Sequence, residues 1–191
     1  PRLAVRVTAP QGEVLNLGSL AAAGGRIDVQ AASVNQQGIL RADALSQGPA
    51  GEIIISASQA LNLAAGSSTT ADGGQGGQVS LDAGAEGRLL ISGQASAQGL
   101  NGLGGQIVLQ GREIGLLDRA EIDVSGRFGG GEMLVGGGEQ GKDARVRNAE
   151  ALYFAPTARL AADATENGEG GRLILWSDKA TRAFGSLSAQ G

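Results

Sequence analysis

Short apolar strands alternate with glycine-rich corners along this chain, and they do so at a fixed period. Gly24-Gly25 precedes Ile27 and Val29, Gly76-Gly77 precedes Val79 and Leu81, and Gly104-Gly105 precedes Ile107 and Leu109. Gly130-Gly131 precedes Met133 and Val135, Gly170-Gly171 precedes Leu173 and Leu175, and Ala50-Gly51 before Ile53 and Ile55 is a degenerate copy. The second glycines stand at 25, 51, 77, 105, 131 and 171, in steps of 26, 26, 28, 26 and 40. Two further pulses keep the same phase. One is an apolar or Thr residue, any residue, then a small residue: Leu20, Leu40, Thr69, Ala95, Ile122, Leu160 and Leu187 begin its copies. The other is Leu15/Leu17, Val34, Leu61/Leu63, Leu89/Ile91, Ile114/Leu116 and Leu152/Phe154. Alternation over three to five residues reads as strand, and each period holds three of them.

A period of this length marks a repeat architecture in which each unit buries its apolar edge only against its neighbours. The pattern predicts an all-β chain: a parallel β-helix, or β-solenoid, with three strands per turn. About seven turns are expected, starting near residues 3, 26, 52, 78, 106, 132 and 172. At about 4.8 Å per strand spacing they make a rod of roughly 34 Å. An antiparallel sandwich explains short strands but not matched steps in separate registers. The glycine pairs are expected to supply positive φ at the corners. Ile27, Ile53, Val79, Ile107, Met133 and Leu173 share one offset from the pairs and are expected to form one buried stack.

Outward columns follow from the same register. The residues after the pairs are Arg26, Glu52, Gln78, Gln106, Glu132 and Arg172, which brings Arg26 beside Glu52 and Glu132 beside Arg172. The next outward column, Asp28, Ile54, Ser80, Val108, Leu134 and Ile174, turns apolar at its end and needs a cover. The 40-residue step supplies one. The segment 136–150 reads as an insertion of about eleven residues that leaves the helix and folds back over this face. Its cations Lys142, Arg145 and Arg147 are the candidate contact residues, because loops on a rigid scaffold carry binding. The rest of 1–191 reads as a single β-helix segment.

Composition agrees and narrows the function classes. Only 3% of the 191 residues are aromatic and 34 are Gly, which suits uniform stacked layers of Ala, Val, Leu and Ile. The net charge of −4 comes from 15 basic and 19 acidic residues without a basic stripe, which argues against nucleic acid as a partner. No apolar run is long enough to span a membrane. The chain begins at Pro1 with no signal peptide, so it reads as part of a longer protein. It has no Cys and no His, which excludes thiolate and imidazole metal sites and any His-based triad. No cofactor is expected. Asp43 and Asp72 end equivalent strands in neighbouring turns. They are read either as turn-capping residues or as a carboxylate pair for metal binding or catalysis. The run from Gly73 to Val79 is partly similar to a calcium-binding glycine-rich repeat, but Gln78 stands where that motif needs Asp. The run from Gly136 to Lys142 has no Ser or Thr after the Lys of a phosphate loop.

The segments Gly130-Gly131-Glu132-Met133-Leu134-Val135-Gly136-Gly137, Gln140-Gly141-Lys142 and Arg147-Asn148-Ala149 resemble filamentous-haemagglutinin-like exoproteins of bacterial two-partner secretion. Gly168 to Asp178 and Thr181 to Gly191 continue the likeness, which is specific over about 130–191 and rests on repeat character before that. The Asn-Pro motifs of that family's N-terminal secretion domain are absent, which places the segment downstream of it. The resemblance implies a right-handed β-helix within a large secreted adhesin, exported by a dedicated outer-membrane β-barrel transporter. It implies a Gram-negative cell-surface or matrix location and binding to host cells, other bacteria or matrix polysaccharide, through a glycan or protein ligand. It implies no enzyme. The alternative is a polysaccharide-degrading β-helix enzyme.

Overall fold

The computed structural model describes residues 4–44, 48 and 50–191. The expected start near residue 3 lies outside the described residues, and the first strand is described from Ala4. The chain winds in parallel coils. The first three carry two strands each: β1 (Ala4–Asn16) and β2 (Ser19–Ala21), β3 (Arg26–Gln36) and β4 (Ile39–Arg41), β5 (Glu52–Leu63) and β6 (Ser68–Thr70). The next coils carry three: β7 (Gln78–Asp82), β8 (Arg88–Ile91) and β9 (Gln94–Ser96), then β10 (Gln106–Gln110), β11 (Glu113–Leu116) and β12 (Glu121–Asp123). They continue with β13 (Glu132–Val135), β14 (Ala151–Phe154) and β15 (Arg159–Ala161), then β16 (Arg172–Leu175), β17 (Ala180–Ala183) and β18 (Ser186–Ser188). The fold is a parallel β-helix. Among the described residues the helical content is one 3-10 turn, Glu139–Gly141, and no helix is long and apolar enough to cross a membrane.

Every strand pairs in parallel with its equivalent one coil away. A first face runs β1-β3-β5-β7-β10-β13-β16, and a second continues from β5 through β8, β11, β14 and β17. A separate seven-stranded sheet, β2-β4-β6-β9-β12-β15-β18, closes the third face. In the early coils β1, β3 and β5 run unbroken over the first two faces, bending at a register shift between Ala31 and Ser33 in β3. From β7 onward residues between strands, such as Gly84 at φ 87°, separate the two faces.

The inward columns form one core. Ile27, Ile53, Val79, Ile107 and Met133 are in register and fully buried, and Leu173 caps the stack half-buried in the last coil. Leu20, Leu40, Thr69, Ala95, Ile122, Leu160 and Leu187 are likewise one column of the third face.

Two expectations are corrected. In the first coil Leu15 and Leu17 point outward, 52% and 68% exposed, and Val14 and Asn16 occupy the second-face core positions. The core there is polar. Asn16 Nδ2 donates to Gln36 Oε1 at 2.7 Å, and the fully buried Gln36 donates to the carbonyls of Gly38 (3.0 Å) and Ser68 (3.3 Å). A buried amide is tolerated when it is satisfied in this way. The second correction concerns the glycine pairs. Of their members only Gly24 has positive φ. The second glycines are required by close approach instead. A Cβ on Gly51, Gly77, Gly105, Gly131 or Gly171 falls well inside 3.0 Å of the carbonyl oxygen of the equivalent glycine one coil earlier.

Candidate interaction surface

β10 and β11 are joined by Gly111 and Arg112 alone, whereas β13 and β14 are separated by residues 136–150. The excursion is closed at its base. Gly136 N–H donates to Leu109 O (2.9 Å), continuing the ladder, and Ala149 N–H donates to Gly136 O (2.8 Å). Gly136, Gly137 and Gly141 have φ of 70°, 145° and 64°, conformations that side chains resist. Trp176 of the next coil packs on this glycine backbone. A Cβ on Gly137 or Gly141 would lie 2.8 or 2.6 Å from its ring atoms. Asp178 Oδ1 accepts from Trp176 Nε1 (2.9 Å) and from Asn148 Nδ2 (3.0 Å), and Asn148 Nδ2 also donates to Gly141 O (3.0 Å). The insert is thereby fastened to the coil that follows it.

Its second half reaches back over the first face. Val146 is buried and, with Val108, Leu134 and Ile54, lines a groove of about 290 Å³ edged by Gln78 and Gln106. Leu134, an outward residue, is only 2% exposed. On the other side of the insert, Leu134 and Ile174 share a groove of about 390 Å³ with Glu132, Glu139, Lys142 and Arg172. Glu150, at the insert's exit, is held between Lys179 (2.9 Å) and Arg112 (3.2 Å), and these cations lower its carboxyl pKa.

The three cations singled out from the sequence stand apart. Lys142 is at the tip, where its ammonium donates to Gln140 Oε1 (2.9 Å). Arg145 is exposed but forked onto Asp143 (3.0 and 2.7 Å), which holds that carboxyl at about 2. Arg147 reaches two coils back. Its N–H donates to Gln110 Oε1 (2.9 Å) and its guanidinium pairs with Asp82. It therefore ties the insert down. Glu139 pairs with Arg172 at 2.5 Å. Trp176, Asp178, Asn148 and Asp82 are not among the candidate residues of the sequence. Asn148, Trp176 and Asp178 lie in segments that resemble the exoprotein family, whereas Asp82 lies outside them.

The predicted outward pairs lie where the register puts them, with Arg26–Glu52 at 3.0 Å and Glu132–Arg172 at 3.8 Å. Asp43 and Asp72 are adjacent and engaged in backbone capping. Asp43 Oδ1 accepts the Asp72 N–H (2.9 Å), and Asp72 accepts the Gln98 N–H (2.6 Å) and the Ser96 hydroxyl (2.8 Å). Farther along the same column Ser125 Oγ accepts the Asp163 N–H (3.0 Å) and Asp163 Oδ1 accepts the Gln190 N–H (2.7 Å). Desolvation by burial raises the Asp72 pKa, against those two hydrogen bonds, and the Asp43 and Asp123 charges add to the rise.

No family model matches the sequence, and no curated protein matches it. Among solved structures the fold is similar to the crystal structure of the HMW1 secretion domain from Haemophilus influenzae, with a TM-score of 0.67 and 22% identity. The likeness covers 94% of this chain and 50% of that one, so this chain spans half its length.

Proposed function

We propose that this chain is a rigid β-helical segment of a large secreted adhesin of the two-partner type, acting by presenting surface and not by catalysis. The observation that carries the reading is the parallel solenoid, similar in fold to the HMW1 secretion domain over 94% of the chain. The insert-stapling residues Gly137, Gly141, Asn148, Trp176 and Asp178 fall within the segments that resemble filamentous-haemagglutinin-like exoproteins, which supports the same reading. On this reading an outer-membrane β-barrel transporter exports the full protein, and the segment lies on the Gram-negative cell surface or in the matrix. Its ligand is a glycan or protein of host cells, other bacteria or matrix. The insert, with Lys142 and Arg145 at its outer side and a groove on either flank, is the contact surface. The engagement of Asp43 and Asp72 by backbone N–H groups favours this over polysaccharide cleavage.

The test is binding of the labelled chain to glycans and cells, alongside a variant in which 137–148 is deleted. Gly136 and Ala149 are already hydrogen-bonded, so the deletion joins neighbouring atoms. Saturable binding that the deletion abolishes supports the reading. Binding unchanged by the deletion removes the insert from it. Release of shortened oligosaccharides by the purified chain would overturn it in favour of an enzyme.

A further inference from the structure

The corner joining the third face to the first carries three exposed apolar side chains, Leu100, Leu103 and Phe128. Their loops are built into the solenoid. Leu100 N–H donates to Gly73 O (2.8 Å), Phe128 N–H donates to Gly102 O (3.1 Å), and Gly73, Gly99, Gly126 and Ala164 form parallel bridges from coil to coil. The Arg127 guanidinium lies 5.2 Å from the Phe128 ring centroid and is paired with Glu166 (2.9 Å). Glu169, exposed beside this ridge, has no ion pair among the described residues.

The second face carries the converse shape. Gly115 stands in an outward column between Leu90 and Tyr153. It lines a groove of about 410 Å³ with Leu90, Leu117 and Tyr153, and Leu90 and Leu117 lean in over the glycine. A Cβ there would meet Leu90 Cδ2 at 3.0 Å and Leu117 Cδ2 at 3.3 Å. Arg182 follows Tyr153 in the column, is exposed, and has no carboxylate partner among the described residues. An apolar ridge and an apolar groove, both uncovered, call for a partner.

We propose that copies of this chain associate side by side, the Leu100–Leu103–Phe128 ridge of one seated in the Gly115 groove of the next, with Glu169 facing Arg182. A second copy is the occupant because position and charge both match. In a three-sided coil the corner between the third and first faces lies across from the second face. Leu100 and Leu103 follow β9 and Phe128 follows β12, while Leu90 lies in β8 and Gly115 in β11, so ridge and groove share the same two coils. A sideways translation without rotation then brings them together at the same level. Glu169 and Arg182 are one coil apart, about 4.8 Å, within side-chain reach. Such a contact is heterologous. It leaves a ridge free on one flank and a groove on the other, and so builds rows.

Sedimentation velocity of the 191-residue chain over a range of concentrations tests this, with circular dichroism as the check on folding. The wild type should form a series of species that grows with concentration and does not stop at a dimer. Phe128→Ser should weaken association more than about tenfold, as loss of a central aromatic anchor does. Glu169→Arg and Arg182→Glu should each weaken it about threefold to fivefold. The double variant should return to within about twofold of wild type. A chain that stays monomeric throughout, a closed dimer, or a double variant no better than its singles overturns the proposal. A monomeric chain whose glycan or cell binding is lost on Gly115→Val assigns the groove to a foreign ligand and overturns it too.

Discussion

Gly105→Ala is the sharpest test of how the coils are held. Gly105 sits beneath the previous coil, and its added Cβ would fall well inside 3.0 Å of the Gly77 carbonyl oxygen and 2.7 Å from the Gly76 carbonyl carbon. Both are backbone atoms of a parallel ladder, so neither can swing aside as a flexible side chain does. Relief requires the coils to part, which breaks the hydrogen bond from Gln106 N–H to Gly77 O (2.9 Å). Overpacking of this kind costs about 1–3 kcal/mol. Leaving the buried donor and acceptor unpaired adds about 1–3 kcal/mol. Together the change destabilises by about 2–6 kcal/mol, or about 4–24 °C in Tm for a chain of this size. Gly18→Ala is the control. Among the described residues nothing lies within 4 Å of a Cβ added there, and its φ is not positive. Lower chain entropy in the unfolded state should make that change neutral or stabilising by up to about 1 kcal/mol. Urea denaturation followed by circular dichroism reads both. If Gly105→Ala unfolds within about 0.5 kcal/mol of Gly18→Ala, close packing is not why the glycine pairs recur.

Ile107→Asp should unfold the central coils, because a charge enters a fully buried stack, whereas Leu173→Asp at the half-buried end should cost less; equal melting temperatures for the two would contradict the position dependence. Thr69 is fully buried with a hydroxyl that has no partner among the described residues, so Thr69→Val should raise stability by about 1 kcal/mol in the same denaturation assay, and a loss would mean that the hydroxyl is satisfied. Amides of 144–149 should be protected from hydrogen exchange and Leu134→Ser should destabilise by about 1–3 kcal/mol; free-peptide exchange rates there, with a neutral Leu134→Ser, would make the insert a loose loop. Asp72 has a raised pKa in the folded state, so the folded chain binds its proton more tightly than the unfolded chain does. Its contribution to stability is present below the unfolded value of 3.8 and is lost as pH rises through the folded pKa. The stability difference, wild type minus Asp72→Asn, should therefore grow as pH falls toward 4, and a difference that shrinks on acidification would reverse the assigned cause.

The register of the fold was legible in the sequence because one period governs three strands at once. Aligning the glycine pairs aligns Ile27 with Ile53, aligning the apolar-x-small pulse on itself puts Leu40 beside Thr69, and the structure pairs those residues. The first coil was misread for a physical reason. An apolar count favours Leu15 and Leu17, but Gln36 fills the equivalent core position in the next coil, so its neighbour inside is the amide of Asn16. Satisfied polar groups in a core do not register in a hydrophobic pattern. The role of the glycine pairs was hidden similarly. Positive φ and close approach both demand glycine, and a sequence does not separate them. At the insert, the cover over Leu134 followed from the apolar column, but the partner of Arg147 did not. Asp82 is 65 residues away in sequence, and only the fold-back path of 144–147 sets the two side by side.

In a solenoid the regular positions are occupied by stacking, so specificity has to enter where the period fails. Each column residue has the same neighbours as its equivalent one coil away, and a column that obeys the repeat presents a uniform stripe. The 40-residue step breaks the first face at 136–150. The loss of a side chain at Gly115 breaks the second face between Leu90 and Tyr153. Exposed apolar residues at Leu100, Leu103 and Phe128 break the third corner, where neighbouring coils place glycine and polar residues. These three departures lie in the coils from β7 to β18, whereas β1, β3 and β5 carry long strands over two faces and the first coil breaks the pattern by exposing Leu15 and Leu17. The insert, the ridge and the groove are surface features that stacking does not use, and they are therefore places where a change of side chain should alter contact without altering the fold.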